Sequence, residues 1–273
     1  MTPAANVGGP VIVVPVFNAP VETRRCLAAL RATIDPDADE VIVIDDASTD
    51  PAIPRLLAEF GGDRWHCERQ PVNLGFVGTV NRGMEMAGDR DVVLLNSDTV
   101  PAGNWLDAIR RCAEACADAA SITPWTNNGE IASLPEFCQA GPVPDDVERW
   151  ARACAASAPA YPDLPTAVGF CMFLRRACLD AVGHFDAETF GKGYGEENDW
   201  CMRASAAGWT HRLCDDAFVA HKGQASFGPL GLEPDASSMQ RLLNLHPDYL
   251  ERVMAFIRSD PLAPHRARVL AAL

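Results

Sequence analysis

The sequence predicts an α/β protein with a mostly parallel central sheet flanked by helices and a helical C-terminal tail. Three runs carry that expectation: Val11-Ile-Val-Val14, Val41-Ile-Val-Ile44 and Val92-Val-Leu-Leu95. Each is short and apolar at every position, the pattern of a strand buried on both faces. Helical patterns alternate with the strand runs, as the right-handed crossovers of a parallel sheet require. The second and third runs lead straight into carboxylate-bearing stretches, and in open α/β sheets ligands bind at that edge.

Taken in order, Val21 to Thr33 places Cys26, Leu27 and Leu30 on one side of a helix. A helix is expected from about Pro54 to Phe60, a short strand over Trp65 to Gln70, and a helix over Gly75 to Ala87. After the third apolar run, Asn104 to Ala117 reads as a helix and Ala120 to Thr123 as a strand. Residues 124 to 165 are rich in Pro, Asn and Gly around one helical piece, Asp145 to Ala156. Such a segment covers a site or joins two sheets. Val168 to Leu174 is a further strand, Arg176 to Val182 a short helix, and Glu196 to Ala207 a helix with Trp200, Ala204 and Ala207 on one face. Residues 236 to 258 hold at least one helix, and Pro264 to Leu273 has the pattern of a helix cut short, as in a segment of a longer protein.

Composition narrows the partners. A net charge of −14 over 273 residues opposes nucleic acid or an anionic membrane surface, since either needs a basic face. The ten cysteines contain no CxxC pair and several lie inside apolar segments, as mostly buried thiols of a reducing compartment do. No leader pattern and no apolar run of roughly 18 residues is present. A cytoplasmic protein is expected, at most peripheral at the inner face of a membrane.

Three strand ends invite a chemical reading. Asp45 and Asp46 are placed to accept from a base or a ribose, although Ser48, Thr49 and Asp50 before Pro51 also suit simple helix capping. Asn96-Ser97-Asp98 offers oxygen ligands for Mg²⁺ or Mn²⁺, and equally an Asx turn. In Gly191-Lys-Gly-Tyr-Gly-Glu-Glu-Asn-Asp-Trp200, the macrodipole accounts for acids in a first helical turn. The preceding glycines suggest a mobile loop that delivers a carboxylate to substrate.

Together these residues resemble the family 2 glycosyltransferases of the GT-A (Rossmann-like) fold. The resemblance covers Val11 to Phe227 and rests on ordered motifs: Val-Pro-Val-Phe-Asn18, Asp45-Asp-Ala-Ser-Thr-Asp50, Asn73-Leu-Gly75, Asn81-Arg-Gly83, Asn96-Ser-Asp98, Gly195-Glu-Glu-Asn-Asp-Trp200 and His221. It looks most like bacterial rhamnosyltransferase-like, polysaccharide-building members, with Arg203 following the acidic motif. It implies an inverting, metal-dependent transfer from a UDP- or dTDP-linked sugar to the hydroxyl of a glycan or lipid-linked glycan.

By that resemblance, Pro15, Phe17 and Asn18 line the nucleotide pocket, Asp46 recognises the base with Asp45 beside it, and Asn73, Gly75 and Asn81 close over the nucleotide. Asp98 and His221 hold Mn²⁺ or Mg²⁺, with Ser97 and Asn96 on the nucleotide. Asn96 departs from the family's first DxD acid. Register places Glu197 at the catalytic base, usually Asp in the family, with Glu196 and Asp199 as alternatives. For the acceptor, Trp125, Asn127, Asn128 and Glu130 suit sugars, as do Tyr194 and Trp200; packing and capping explain the first three equally well. The expected division is a transferase domain over residues 8–228, with a nucleotide half to residue 100 and an acceptor half from 101. The extension at 229–273 would contact a neighbouring domain or mediate self-association. A dehydrogenase is opposed by the lack of GxGxxG after the first strand, and a nucleotidyltransferase by the lack of a basic phosphate loop. A noncatalytic sugar-binding module is the remaining alternative.

Overall fold

The computed structural model describes residues 8–156, 158–191, 193–223 and 236–273. The expected boundary at 228/229 and the end of the His221–Phe227 motif lie outside them. Strands β1 (Val11–Val16), β2 (Val41–Asp45), β3 (Trp65–Arg69) and β4 (Val92–Leu95) pair in parallel in the order β3-β2-β1-β4. Helices α1 (Pro20–Thr33), α2 (Ala52–Ala58) and α3 (Gly75–Met86) form the crossovers.

Successive strand residues face opposite sides of the sheet, which explains the unbroken apolar runs. Ile12, Val14, Val41, Val43, Val93 and Leu95 pack with α1 and α2 on one side. Val11, Val13, Ile42, Ile44, Val92 and Leu94 pack with α3 on the other. Every one of these side chains is at most 1% exposed.

The second half extends the sheet with antiparallel pairs. It contributes β5 (Thr99–Pro101), β6 (Ala119–Trp125), β7 (Asp163–Leu164), β8 (Cys171–Leu174) and β9 (Thr210–His221). β8 runs antiparallel to both β4 and β6; β9 runs parallel to β6 and antiparallel to β5 and β7. The twelve-residue β9 was legible only as Ala217 to Ala220, because Asp215 and Asp216 interrupt its apolar run. They sit where the register with β6 shifts between Pro124 and Trp125, a bulge that re-aims side chains. Asp215 accepts from Ala160 N and Tyr161 N, both at 3.0 Å, and Asp216 pairs with Arg111 at 2.8 Å.

Around this half lie α4 (Trp105–Ala115), α5 (Val147–Ala155), α6 (Arg176–Val182), α7 (Ala187–Phe190) and α8 (Glu196–Ala206). The C-terminal residues form α9 (Ala236–Leu245), α10 (Tyr249–Ser259) and α11 (Ala263–Ala272). They are packed into the body: Leu242 and Tyr249 join the core beneath α3 and α8, and Leu262 and Val269 join that beneath α5. All ten cysteines are free thiols, seven of them buried. Among the described residues no helix is long and apolar enough to cross a membrane.

The closest helix-to-sheet approach is at Gly83, where an added Cβ would stand 2.2 Å from Val13 Cγ1. Val13 is a buried strand residue with no room to yield. Gly83→Ala is therefore expected to destabilise the fold by about 1–3 kcal/mol, the usual cost of overpacking, read as a lower urea midpoint.

Candidate active site

The carboxyl ends of β1, β2, β4 and β9 and the first turns of α3 and α8 surround a cavity of about 680 Å³, within the range of ligand sites. Pro15 and Phe17 stand on its wall beside Asp46, Asn73 and Gly75. Asp46 is buried and accepts from Leu74 N at 2.7 Å and Gly75 N at 2.9 Å. Burial raises its pKa, and those amides only partly offset the rise. Its carboxylate thus pins the loop leading into α3 while one edge meets the cavity.

Two predicted neighbours face protein instead. Asp45 accepts from Ser48 N at 2.8 Å and pairs with Arg69. Asn18, at φ 55°, accepts through Oδ1 from Thr49 N at 2.9 Å and Asp50 N at 3.0 Å. These residues shape the two loops that frame Asp46 and are not on the wall. Asn81 bonds both the N–H and the carbonyl of Phe185 and so ties α3 to the segment before α7.

Asn96, Ser97, Asp98 and His221 meet at one end of the cavity. Thr99 pairs with His221 across β5 and β9, which puts Asp98 Oδ1 3.4 Å from His221 Nε2. His221 Nδ1 lies 2.7 Å from the Asn128 carbonyl. A carbonyl only accepts, so Nδ1 carries a proton and Nε2 faces Asp98. Burial disfavours the imidazolium, but Asp98 outweighs it and raises the His221 pKa. Asn127 fixes the end of β9 by accepting from His221 N at 2.9 Å and donating to its carbonyl at 2.8 Å. Phe170 stacks on the imidazole, centroids 5.3 Å apart.

These features suit a divalent ion completed by substrate oxygens: a buried carboxylate, an imidazole nitrogen and the Asn128 carbonyl that orients the ring from its other nitrogen. Among the described residues no group of three or more His, Cys, Asp or Glu side chains forms an all-protein metal cage.

At α8, Glu196 and Glu197 line the cavity with Tyr194. The glycines before them serve backbone geometry: Gly193 and Gly195 adopt φ 136° and 104°, values costly for any side chain with a Cβ. Burial raises the pKa of both acids, Glu196 the more, and Glu197's charge lifts Glu196 further. Two adjacent buried carboxylates resist joint ionisation, so the pair favours holding a proton. Among the described residues, Oε2 of each has no hydrogen-bond partner.

Asp199 is turned away, bonded to Arg203 Nε and His246 Nε2, both at 2.8 Å. It joins α8 to the turn between α9 and α10. Trp125 and Trp200 are fully buried, Trp200 donating to the Gly183 carbonyl at 2.9 Å. Neither presents a ring to the cavity. The wall also holds Phe76, Thr79, Val168, Phe170 and Lys222, which sequence reasoning did not single out. Of these, only Lys222 beside His221 carried a readable signal.

A parallel β-α half carrying the nucleotide-type edge, joined to a mixed half carrying the acid pair, is the GT-A architecture. The chain belongs to glycosyl transferase family 2, whose model matches residues 11–183. Proteins of Mycobacterium tuberculosis and Mycobacterium bovis, both uncharacterized, are 27% identical over 217 residues, covering 78% of this chain and 74% of theirs. Among solved structures, GalNAc-T7 with UDP, GalNAc and Mn²⁺ superposes at TM-score 0.67 and 12% identity over 98% of this chain. This chain spans 55% of the GalNAc-T7 chain, about half its length. S. aureus TarS residues 1–349 gives TM-score 0.58 and 16% identity over 97% of this chain and 78% of that one.

The acid pair has a stability consequence. A carboxyl whose pKa rises on folding binds more protons in the native state, so its contribution is fully present below the ordinary glutamate value of 4.5. That contribution is lost as pH climbs toward the folded value, at up to about 1.4 kcal/mol per pH unit. Glu196→Gln is expected to raise Tm relative to the unaltered chain at pH 7 and to lose that advantage near pH 4, checked by thermal melts across pH.

Proposed function

We propose that this protein transfers a sugar, with inversion, from a nucleoside diphosphate sugar of the UDP or dTDP type to an acceptor hydroxyl, in the synthesis of a bacterial cell-surface polysaccharide or related glycan. The observation that carries the reading is one cavity with Asp98 and His221 at one end and the buried Glu196 beside Glu197 on its wall. Asp46, Asn73 and Gly75 would seat the nucleoside, and Asn96 and Ser97 its ribose and phosphates. Asp98 and His221 would hold Mn²⁺ or Mg²⁺, which, when bound, supplies charge neutralisation for a departing diphosphate.

Glu197 takes the proton of the acceptor hydroxyl as its oxygen bonds the anomeric carbon from the face opposite the leaving group. The sugar–phosphate bond breaks as that bond forms, and no covalent enzyme intermediate is needed. Glu196 beside it keeps the pair near one negative charge, because two adjacent buried carboxylates resist joint ionisation. Ordering donor and acceptor in one cavity contributes through proximity.

Two expectations follow. Calorimetric titration with UDP, dTDP, GDP and CMP should give binding of one diphosphate that depends on Mn²⁺ and weakens at least tenfold with chelator or in Asp98→Asn. Uptake of none would favour the noncatalytic module, which Asn96 in place of an acid would suit. Glu197→Gln should lower turnover by about 10²- to 10⁴-fold while leaving diphosphate affinity within about twofold; unchanged turnover would remove Glu197 from the mechanism.

A further inference from the structure

Glu130 faces the same cavity from a different element, a single 3₁₀ turn at Glu130–Ala132. Its backbone is left-handed, φ 47°, an uncommon conformation for a residue with a side chain, and one that persists only where surroundings over-determine it. The surroundings do so here. Ala132 N donates to the Gly129 carbonyl at 2.8 Å, Ser133 N to the Glu130 carbonyl at 3.1 Å, and Gly129 N to Ser133 Oγ at 3.0 Å. Gly129 permits the approach, since a Cβ there would lie 2.4 Å from Thr126 Cγ2.

This turn presents a carboxylate that the fold itself does not use. Among the described residues no hydrogen bond or ion pair holds the Glu130 side chain, and burial alone raises its pKa. It remains reachable from solvent, and its charge acts on Glu197. Lys222, the one lysine or arginine on the wall among the described residues, lies beside Asp98, its backbone N–H bonding the Asp98 carbonyl at 3.1 Å and its ammonium paired with Glu22. Glu130 and the glutamate pair make their own side of the cavity acidic, and Oε2 of both Glu196 and Glu197 is buried there with no hydrogen-bond partner among the described residues.

We propose that Glu130 recognises the acceptor, accepting hydrogen bonds from the hydroxyls of an uncharged sugar and selecting against acceptors that carry a carboxylate or phosphate. A carboxylate offers two oxygens to a vicinal diol and repels a like charge across a low-dielectric cavity. This specificity role rests on the transferase reading above, yet it assigns no chemical step to Glu130.

The test uses the full chain with Mn²⁺, UDP-glucose and dTDP-rhamnose as donors, and paired acceptors differing only at C6: p-nitrophenyl hexosides and the matching p-nitrophenyl hexuronides. The neutral member is expected to win by at least about tenfold in kcat/KM. Glu130→Gln should raise the neutral acceptor's KM by about 10- to 100-fold, the range of a lost charge-assisted hydrogen bond. It should narrow the neutral-over-anionic preference and leave donor hydrolysis within about twofold. Glu130→Asn, a residue that tolerates left-handed backbone, should reproduce the effect if the loss is chemical and not a distorted turn. Unchanged acceptor kinetics in both variants, or no transfer to any of these sugars while donor hydrolysis persists, would overturn the assignment alone. Turnover of neither donor by the unaltered chain would overturn the transferase reading and this one with it.

Discussion

The antiparallel register of β5 on β9 is the constraint on which the site depends. It sets Thr99 opposite His221, and so joins Asp98, just outside one strand, to the last residue of the other. Side chains alternate across a strand, so a one-residue slip would turn His221 to the opposite face. A three-residue β5 is too short to fix that register alone. The Asn127 side chain adds two hydrogen bonds to the His221 backbone, and the buried Asp215 and Asp216 hold the bulge midway along β9. Residues remote from any ligand thus decide where the imidazole points.

The same cavity concentrates groups that oppose folding. Three of its acids have pKa values raised chiefly by burial at Glu130, Glu196 and Glu197, and Asp46 adds a fourth. In a chain of net charge −14, these carboxyls gain little from their surroundings beyond a few amides. Their placement, together with the left-handed backbone at Glu130, Tyr194 and Asn18, is the pattern of local cost retained at sites of function and offset by the packed sheet elsewhere.

Much of this was legible in the sequence where one physical pattern dominated. β1, β2 and β4 were readable because strands buried on both faces are apolar throughout, and the cavity-lining Asp46, Asp98 and Glu197 because they follow such strands or open a helix. The order of motifs identified the family. Where two explanations predict the same residues, sequence could not choose between them. Asp45 and Asn18 turned out to bond the loop amides and stand off the cavity wall. Trp125 and Trp200 are as apt for a core as for a sugar, and both are core. β9 was obscured by its paired aspartates, whose partners lie far along the chain. The left-handed turn at Glu130 has no local sequence signature, since glycine stands at 129 and not at the strained position.

The length of the proposed base bears on how this site departs from its family. Glutamate stands at position 197 where aspartate is usual, and the extra methylene must be accommodated for its carboxylate to reach the same region. Gly169 faces it: a Cβ added there would lie 3.6 Å from Glu197 Cδ and Oε1, an ordinary contact distance, so the glycine leaves open space beside the carboxylate. The helix amino terminus then divides the charge. Backbone amides at the start of α8 lower both pKa values while burial raises them, and a terminus carrying about half a positive charge stabilises one carboxylate better than two. Of the two, Glu196 has its pKa raised the more, by burial first and then by the charge of Glu197. A longer base, a glycine facing it and a second buried acid beside it thus share one wall, where the carboxyl whose pKa burial and its neighbour's charge raise furthest is Glu196.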